Sequence, residues 1–386
     1  MPTKIQRSKR QKNILWLGLV SFFNDMSSEM IMPILPMFIT SLGGGGLIVG
    51  LISGIRESVA SIFKIVSGYL SDRTNKRKRF VVIGYLTSSV FKLLLGFSRL
   101  WYHILIFSGL ERIGKGLRTA PRDAIIAEST SAQGKGFGVH RALDTAGAIF
   151  GSLLVLILFW KLGLGFKSII IFAAIIGFIS LIPLYFVQET SKKKGSDRTN
   201  ISFRQLPKNL RLFIIIAAIF SLANFSYMFF VLKVQSYLTG RAGIILAILL
   251  YTFFNIFYAG FAIPFGELSD RVGRKKVLIG GYVLFLIVSL GFILAKSLIL
   301  YFLLFALYGI TYAIIDGNQR AFVSDLSPAN IKGTALGTFH AVVGFSALPS
   351  SLIAGYLWDI KPELTFIYGS AMSLVAIILF MFLKES

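Results

Sequence analysis

The sequence has no cysteine and only three histidines in 386 residues. The lack of cysteine excludes disulfide bonds, thiol catalysis and cysteine-ligated metals. The histidines, His103, His140 and His340, lie far apart, and neither an H-E-x-x-H nor a G-x-S-x-G motif is present, so we expect no enzymatic activity, no metal and no cofactor. Charged residues are also scarce, at 15% of the chain, whereas hydrophobic residues make up 55%. A water-soluble protein could not bury the apolar surface of so many hydrophobic residues.

The hydrophobic residues are concentrated in twelve stretches that are long enough to cross a bilayer. At about 22 residues for each span, twelve spans use roughly 264 residues and leave about 120 for loops and tails. The stretches cover residues 13–41, 46–71, 80–98, 101–126, 136–160, 167–187, 210–238, 243–268, 277–295, 298–324, 333–357 and 363–384. This pattern predicts an all-α polytopic membrane protein with twelve transmembrane helices.

Acidic residues are too few to balance the basic ones, 17 against 40, which gives a formal net charge of +23. When the twelve spans are threaded back and forth, the basic clusters before the first span, after the second, between the sixth and seventh and after the eighth fall on one side. The positive-inside rule places that side, with both termini, in the cytoplasm. We expect a bacterial inner (plasma) membrane protein. Nucleic-acid binding is not expected, because no basic stripe alternates with stacking aromatics outside the spans.

The chain repeats itself after about half its length. GYLSDR begins at Gly68 and GELSDR begins 198 positions later at Gly266, each followed by a basic cluster. Arg122 and Arg320 are separated by the same interval. The repeat predicts an N-terminal six-helix half at 1–189, a cytoplasmic linker at 190–209 and a C-terminal six-helix half at 210–386.

These two loops resemble the signature of the major facilitator superfamily, G-x-L-x-D-R-x-G-R-R/K. GELSDRVGRKK matches it closely, whereas GYLSDRTNKRK has Asn75 in place of glycine, so its turn can differ. The resemblance covers the whole chain and implies two pseudo-symmetric halves, alternating access and a small-molecule substrate bound near the midplane. We expect a monomer whose other partners are protons and the lipid bilayer.

The resemblance also implies a conformational latch, in which charge pairs at the two loops hold one state of the transporter. Gly68 and Gly266 are expected to let helices approach closely, and the aspartates are expected to meet a helix N-terminus and the arginines that follow. The predicted latch residues are Gly68, Asp72, Arg73, Arg77, Gly266, Asp270, Arg271 and Arg274.

Ionisable residues inside spans are costly and usually functional. Asp25 and Glu29 are four residues apart in the first span, which places both carboxylates on one helical face. Two such groups raise each other's proton affinity, so the pair predicts proton carriage. The alternative is that both are ionised and pair with arginines to hold helices together. Asp144, near the start of the fifth span, is a further candidate for proton coupling.

The fourth and fifth spans resemble those of proton-coupled exporters in the superfamily. Arg112-Ile113-Gly114-Lys115-Gly116 is similar to their R-x-x-Q-G motif, with lysine in place of glutamine, and implies a role for Arg112 in proton coupling. In the fifth span Gly147-x-x-x-Gly151 survives from G-x-x-x-G-P-x-x-G-G, but Ser152 replaces the proline. The later glycines of the fifth-span motif are also absent. The resemblance in the fourth span therefore implies an efflux antiporter, whereas the incomplete fifth-span motif weakens that assignment.

Polar and aromatic residues in several spans are candidates for the lining of a substrate cavity. The candidates are Lys115, Arg118, His140, Arg141, Asn224, Tyr227, Tyr258, Tyr312 and Asp316. For Asp316 the alternative is a simple pair with Arg320, four residues on. In the second span, Gly50-x-x-x-Gly54 suits close helix packing.

The leading hypothesis is proton-coupled export of a small organic molecule. The alternative is transport of an organic anion or siderophore, because the N-terminal half contains an excess of cations inside its spans. Those cations are Arg56, Lys64, Lys92, Arg112, Lys115, Arg118 and Arg141. From another class, a transport-like scaffold or receptor that moves no substrate is also compatible with the sequence.

Overall fold

The structure is a computed structural model that describes residues 4–130, 133–189, 203–328 and 331–383. Most of the predicted linker, with the basic residues at 192–198, lies outside the described residues, as do the side chains before Lys12. Within the described parts the chain forms fifteen α-helices and one short 3-10 turn, Phe203–Gln205, with no β-strand. The predicted all-α membrane architecture is confirmed.

The helices follow one another with short connections. In the first part of the chain they are α1 Lys4–Ile31, α2 Leu35–Ser41, α3 Gly46–Thr74, α4 Arg77–Gly96, α5 Trp101–Ser129, α6 Gln133–Trp160, α7 Phe166–Ile179 and α8 Leu181–Tyr185. In the second part they are α9 Lys208–Ala223, α10 Tyr227–Gln235, α11 Gly240–Val272, α12 Arg274–Leu294, α13 Leu298–Asp325, α14 Lys332–Ile360 and α15 Pro362–Met381.

Twelve predicted spans give fifteen helices because three spans are each divided in two. The first breaks at residues 32–34, where Pro33 cannot donate a backbone hydrogen bond. The sixth breaks at Ser180, and the seventh at 224–226, where the Ser226 Oγ accepts a hydrogen bond from the backbone N–H of Met228 and starts α10. Ten spans in the described residues are long and apolar enough to cross a membrane. The two others contain α1, with Asp25 and Glu29, and α5, with Glu111, Arg112, Lys115 and Arg118.

The described residues group into two compact units. The first lies within Met1–Gly43 and Val59–Asp197, and the second within Gly44–Ser58 and Arg198–Ser386. Helix α3 therefore contributes its N-terminal part to the second unit and the rest to the first.

Glycines set the helix spacing in the first unit. A Cβ atom on Gly147 of α6 would overlap the carbonyl oxygen of Phe22 on α1, and one on Gly151 would overlap that of Met26. A Cβ atom on Gly84 of α4 would lie 2.7 Å from the carbonyl oxygen of Gly114 on α5. Backbones that approach this closely bring short polar side chains on the paired helices into contact.

The second unit has an aromatic core and close helix contacts at glycines. Phe220 on α9 stacks on Tyr282 of α12 with ring centroids 3.8 Å apart. A Cβ atom on Gly50 of α3 would overlap the carbonyl oxygen of Ser351 on α14, so the close packing predicted for Gly50-x-x-x-Gly54 is present. At the start of α3, Asp359 accepts hydrogen bonds from the N–H groups of Gly46 and Leu47, at 2.6 and 2.8 Å. This carboxylate caps the helix.

Candidate functional site

The middle of α1 presents a polar face to its neighbours in the first unit. Asp25 and Glu29 lie one helical turn apart and are both half-buried. The Nδ2 of Asn24 donates to Asp25 Oδ1 at 3.2 Å. The helical spacing therefore places the two predicted carboxylates on one face, but the partner of Asp25 comes from another helix.

That partner is Asp144 on α6. The carboxyl groups of Asp25 and Asp144 lie close enough to each other to share a hydrogen bond. Two carboxylates have no hydrogen to donate, so this bond requires a proton on one of them. Ser21 Oγ donates to Asp144 Oδ1 at 2.6 Å and Arg141 Nη1 donates to Oδ2 at 3.0 Å. Because Asp144 accepts from both of these donors, Asp25 is left to donate the shared hydrogen.

The surviving half of the fifth-span motif explains how the pair forms. Gly147 and Gly151 remove the side chains that would hold α6 away from α1. Asp144 lies one turn before Gly147 and is thereby carried onto the face of α1 that contains Asp25. The missing proline and later glycines of the motif play no part in this contact.

A buried lysine lies on the other side of α1. Lys92 of α4 is 2% exposed, and its Nζ donates to Ser28 Oγ at 2.8 Å, Ser27 Oγ at 3.0 Å and the Asn24 carbonyl oxygen at 3.3 Å. All three acceptors are neutral. The sequence prediction counted Lys92 among the cations of the half but did not place it in the site, although a lysine in mid-span was the available signal.

Arg118 on α5 is also held by neutral groups. Its Nη1 donates to Ser88 Oγ, and its guanidinium lies 4.5 Å from the centroid of the Tyr85 ring. Both partners are on α4, at the close approach of Gly84 and Gly114. The charges of Arg118 and Lys115 both act on Asp25. Ser88 and Tyr85 were absent from the predicted site, since no motif marks them.

Arg112, the residue for which the exporter resemblance implies coupling, forms a buried ion pair with its neighbour on α5. Its Nε lies 3.4 Å from Glu111 Oε2, and its Nη2 donates to Met32 Sδ at 3.5 Å. Lys115, one turn further along, is exposed. Glu111 was not among the predicted site residues.

The remaining candidates of the first unit surround Asp144. His140 is buried, and its Nε2 has no hydrogen-bond partner among the residues that the structure describes. Arg122 donates to Asp123 at 2.9 Å and to Ser21 Oγ at 3.5 Å. Since Ser21 also donates to Asp144, this serine joins α1, α5 and α6 through two polar contacts.

In the second unit the candidates form a polar and aromatic cluster. Tyr258 donates to Asp316 Oδ2 at 2.9 Å, and Arg320 donates to the same oxygen at 2.6 Å. The simple pair of Asp316 with Arg320 is therefore present. Tyr312 donates to Asn224 Oδ1 at 3.3 Å and lies 6.2 Å from the ring of Tyr258.

Tyr227 lies at the edge of this cluster, where its ring is 5.4 Å from that of Tyr251. Phe254 links the two parts, because its ring lies 5.8 Å from Tyr251 and 5.4 Å from Tyr312. The cluster is a wall of aromatic rings with hydroxyl, amide and carboxylate groups. Within the described residues no group of three or more His, Asp or Glu side chains could hold a metal ion.

The predicted latch contains the same charged triad in each unit. Arg77 contacts Asp72 at 3.2 Å and also pairs with Glu128 at the end of α5. Arg274 contacts Asp270 at 2.9 Å and also pairs with Asp325 at the end of α13. The third members were not predicted, although Glu128 and Asp325 are 197 positions apart, one less than the interval between the two signature loops.

The other latch predictions have mixed outcomes. Arg73 and Arg271 are exposed and lie outside the triads; Arg271 Nη2 is 4.0 Å from Glu267 Oε2 on its own helix. A Cβ atom on Gly68 would lie 3.4 Å from that of Ala120, as expected for close packing. The prediction is wrong for Gly266, around which a Cβ atom would meet no described atom within 4 Å.

The substitution of asparagine for glycine in the first loop leaves the backbone conformation in the same left-handed region. Asn75 has a φ of 54°, and Gly273 at the equivalent position has a φ of 98°. Asparagine adopts positive φ more readily than other side chains do. Both copies of the loop therefore have a positive φ at this position.

Comparisons with known proteins agree with this architecture. The model of the Major Facilitator Superfamily matches residues 17–247 and 239–386. The chain is 57% identical over 380 residues, covering 96% of this chain and 95% of the relative, to an uncharacterized MFS-type transporter of Methanocaldococcus jannaschii. It is 26% identical over 386 residues, with 88% and 91% covered, to the multidrug resistance protein MdtG of Proteus mirabilis.

Among solved structures, the nucleoside transporter NupG has a TM-score of 0.80 at 14% identity and covers 97% of this chain and 100% of its own. A bacterial homolog of the human lysosomal transporter Spinster, in an inward-facing and occupied conformation, has a TM-score of 0.76 at 12% identity, with 95% of both chains covered. At these identities the likeness concerns the fold.

Proposed function

The chain belongs to the major facilitator superfamily and is an integral membrane transporter, and we propose that it exports a small organic molecule in exchange for protons. The observation that carries the proposal is the close approach of the Asp25 and Asp144 carboxyl groups where Gly147 brings α6 against α1. Export is further supported by the similarity to a relative named as a multidrug resistance protein.

The shared proton gives the pair two states with different electrostatics. With the proton bound, one carboxylate charge remains and α1 is joined to α6 by a hydrogen bond. Without it, two negative charges about 4 Å apart repel each other by on the order of 4 kcal/mol at an effective dielectric constant of about 20. Release of the proton therefore favours separation of the two carboxyl groups, and this is the step that we propose to be coupled to transport.

The positions of the cations support the same mechanism. Arg141 and Arg122 lie on either side of Asp144 and Ser21, so a second negative charge has nearby guanidinium groups to meet. We propose that Glu29, Arg112 and His140 modulate this site. We also propose two sets of substrate contacts, each within its own unit: Lys115 in the first unit, and the cluster of Asn224, Tyr258 and Tyr312 in the second. These assignments leave the chemical identity of the substrate open.

Flux in everted membrane vesicles tests the proposal. Ethidium serves as an apolar cationic probe and citrate as an organic anion, and a proton gradient should drive the transported probe into the vesicles. Asp25→Asn and Asp144→Asn should each abolish the gradient-driven part of the flux. Glu363→Gln, a carboxylate that pairs with Lys233 at 2.5 Å away from the site, is the matched control. Full coupling in both single variants and in the double variant would refute the proposal.

A second candidate function is transport of an organic anion or siderophore. It is favoured by Lys92 and Arg118, which are buried and, among the described residues, are bonded to neutral groups without a direct ion pair. Such charges leave the interior positive. Citrate should then compete with the transported substrate, and Lys115→Gln should weaken that competition. A preference for ethidium over citrate in the wild type would contradict this alternative.

We further propose that both termini face the cytoplasm of a plasma membrane and that the monomer is the transporting unit. The exposed cations that follow α3 and α11 support this topology through the positive-inside rule. Reporter fusions at the C terminus should be active only as cytoplasmic reporters; activity of a periplasmic or extracellular reporter would contradict it.

A further inference from the structure

Each unit has a groove where the two helices joined by the signature loop meet their neighbours. In the first unit two adjoining cavities of about 560 and 510 Å³ share Lys76, Arg79 and Ile83 in their linings. In the second unit a cavity of about 400 Å³ is lined by Lys276 and by apolar residues that include Val283 and Ile287.

The two grooves occupy equivalent positions in the repeat. Arg79 and Lys276 are 197 positions apart, as are Ile83 and Gly280, and all four residues line the grooves. This spacing is within one position of the 198-residue interval between the two signature loops. A surface feature that recurs at nearly the repeat interval is a property of the half-chain design, and it is therefore present twice for the same physical reason.

The basic residues of each loop have separate tasks. Arg77 and Arg274 form the latch triads. The next lysine holds the end of the last helical segment of its unit: Lys78 Nζ donates to the Tyr185 carbonyl oxygen at 3.0 Å, and Lys275 Nζ donates to that of Leu383 at 2.6 Å. The third residue, Arg79 or Lys276, is exposed and has no hydrogen-bond or ion-pair partner among the described residues, and the same is true of Lys76.

The first groove also contains Thr74 and Glu189, whose Oε2 accepts a hydrogen bond from the Lys78 N–H at 3.0 Å. The other residues that line the grooves beside the cations are apolar or glycine. Ile83 is 43% exposed and Ile287 is 49% exposed, on helices that are long and apolar enough to cross a membrane. Near the first groove, Tyr185 is exposed and Trp16 stacks on Phe186 with centroids 4.8 Å apart. Exposed aromatics of this kind are typical of the level at which lipid headgroups lie.

We propose that each groove binds an anionic phospholipid. The phosphate lies at Lys76 and Arg79 in the first groove and at Lys276 in the second, and an acyl chain lies along the apolar floor. The charge and the apolar surface are complementary to the two parts of such a lipid. The first groove, with two unpartnered cations, binds more tightly than the second.

The test compares dioleoylphosphatidylglycerol with dioleoylphosphatidylcholine, whose acyl chains are identical, by titration of the purified full-length protein in native mass spectrometry. The wild type should bind phosphatidylglycerol more tightly. The double variant Lys76→Gln, Arg79→Gln should lose about fivefold of that preference for each cation removed. Lys76→Arg with Arg79→Lys should retain it. The matched control is Lys161→Gln with Lys296→Gln, two exposed lysines beyond the far ends of α6 and α12, and it should also retain the preference.

A second variant tests the groove floor without removing charge. A Cβ atom on Gly280 would meet no described atom within 4 Å, so Gly280→Trp fills the second groove without a clash at the backbone. It should reduce the number of retained phosphatidylglycerol molecules by one and leave the melting temperature unchanged. The proposal is overturned if the wild type binds both lipids equally, if the double glutamine variant keeps its preference, or if inorganic phosphate competes as well as the lipid does.

Discussion

Replacement of Gly147 by valine is expected to separate α1 from α6 and thereby break the carboxyl pair. A Cβ atom at this position overlaps the backbone carbonyl oxygen of Phe22, which cannot move without displacing α1. Overpacking of this kind costs about 1–3 kcal/mol, and loss of the hydrogen bond between Asp25 and Asp144 adds about 1 kcal/mol. Together these terms lower the melting temperature by on the order of 5–10 °C for a unit of this size.

The assay is thermal unfolding of the purified protein, with gradient-driven flux measured on the same preparation. Gly138, on the same helix, provides the matched control, because a Cβ atom there meets no described atom within 4 Å. Gly138→Val should leave both quantities unchanged or raise the melting temperature slightly, since valine is a better helix former than glycine. A Gly147→Val protein that melts with the wild type and keeps full coupling would refute the reasoning.

Two further predictions concern charged contacts in the two units. The Arg77 side chain is 2% exposed and pairs with two carboxylates, so Arg77→Gln should destabilise the first unit by about 3–5 kcal/mol. The side chain of Arg271 is 79% exposed, so Arg271→Gln should change stability by less than about 0.5 kcal/mol. Equal melting temperatures of the two variants would contradict this prediction. Asp359→Ala should lower the stability by about 1 kcal/mol, because it removes the cap of α3. Rescue of stability by Asp359→Ser but not by Asp359→Leu would identify capping as the cause. An Asp359→Ala protein as stable as the wild type would exclude a capping role.

The spans and the signature loops were predictable because they depend on local sequence. Long apolar runs must become helices in a bilayer, since no water is available to satisfy the backbone. The helix break at Pro33 also follows from the local sequence, because proline lacks the N–H group that a continuous helix needs. The break before α10 was not, because it depends on Ser226 as a capping residue in an otherwise apolar run.

The candidate site was predictable only in part. The helical period placed Asp25 and Glu29 on one face, but it could not predict that Asp25 pairs with Asp144. Asp144 lies in another span and reaches Asp25 because the backbones approach closely at Gly147. The same limit applies to Lys92, whose acceptors are on α1, and to Glu128 and Asp325, which complete the latch triads. Side-chain partners from distant segments follow from helix packing, which a single sequence does not encode in any short motif.

The central claim, a proton shared by Asp25 and Asp144, is tested most directly by infrared spectroscopy of the purified protein at neutral pH. A protonated carboxyl group has a carbonyl stretching band that a carboxylate lacks. The wild type should show this band, Glu29→Gln should retain it, and Asp25→Asn should lose it. A band that persists in Asp25→Asn, or one that disappears in Glu29→Gln alone, would contradict the assignment of the proton to this pair.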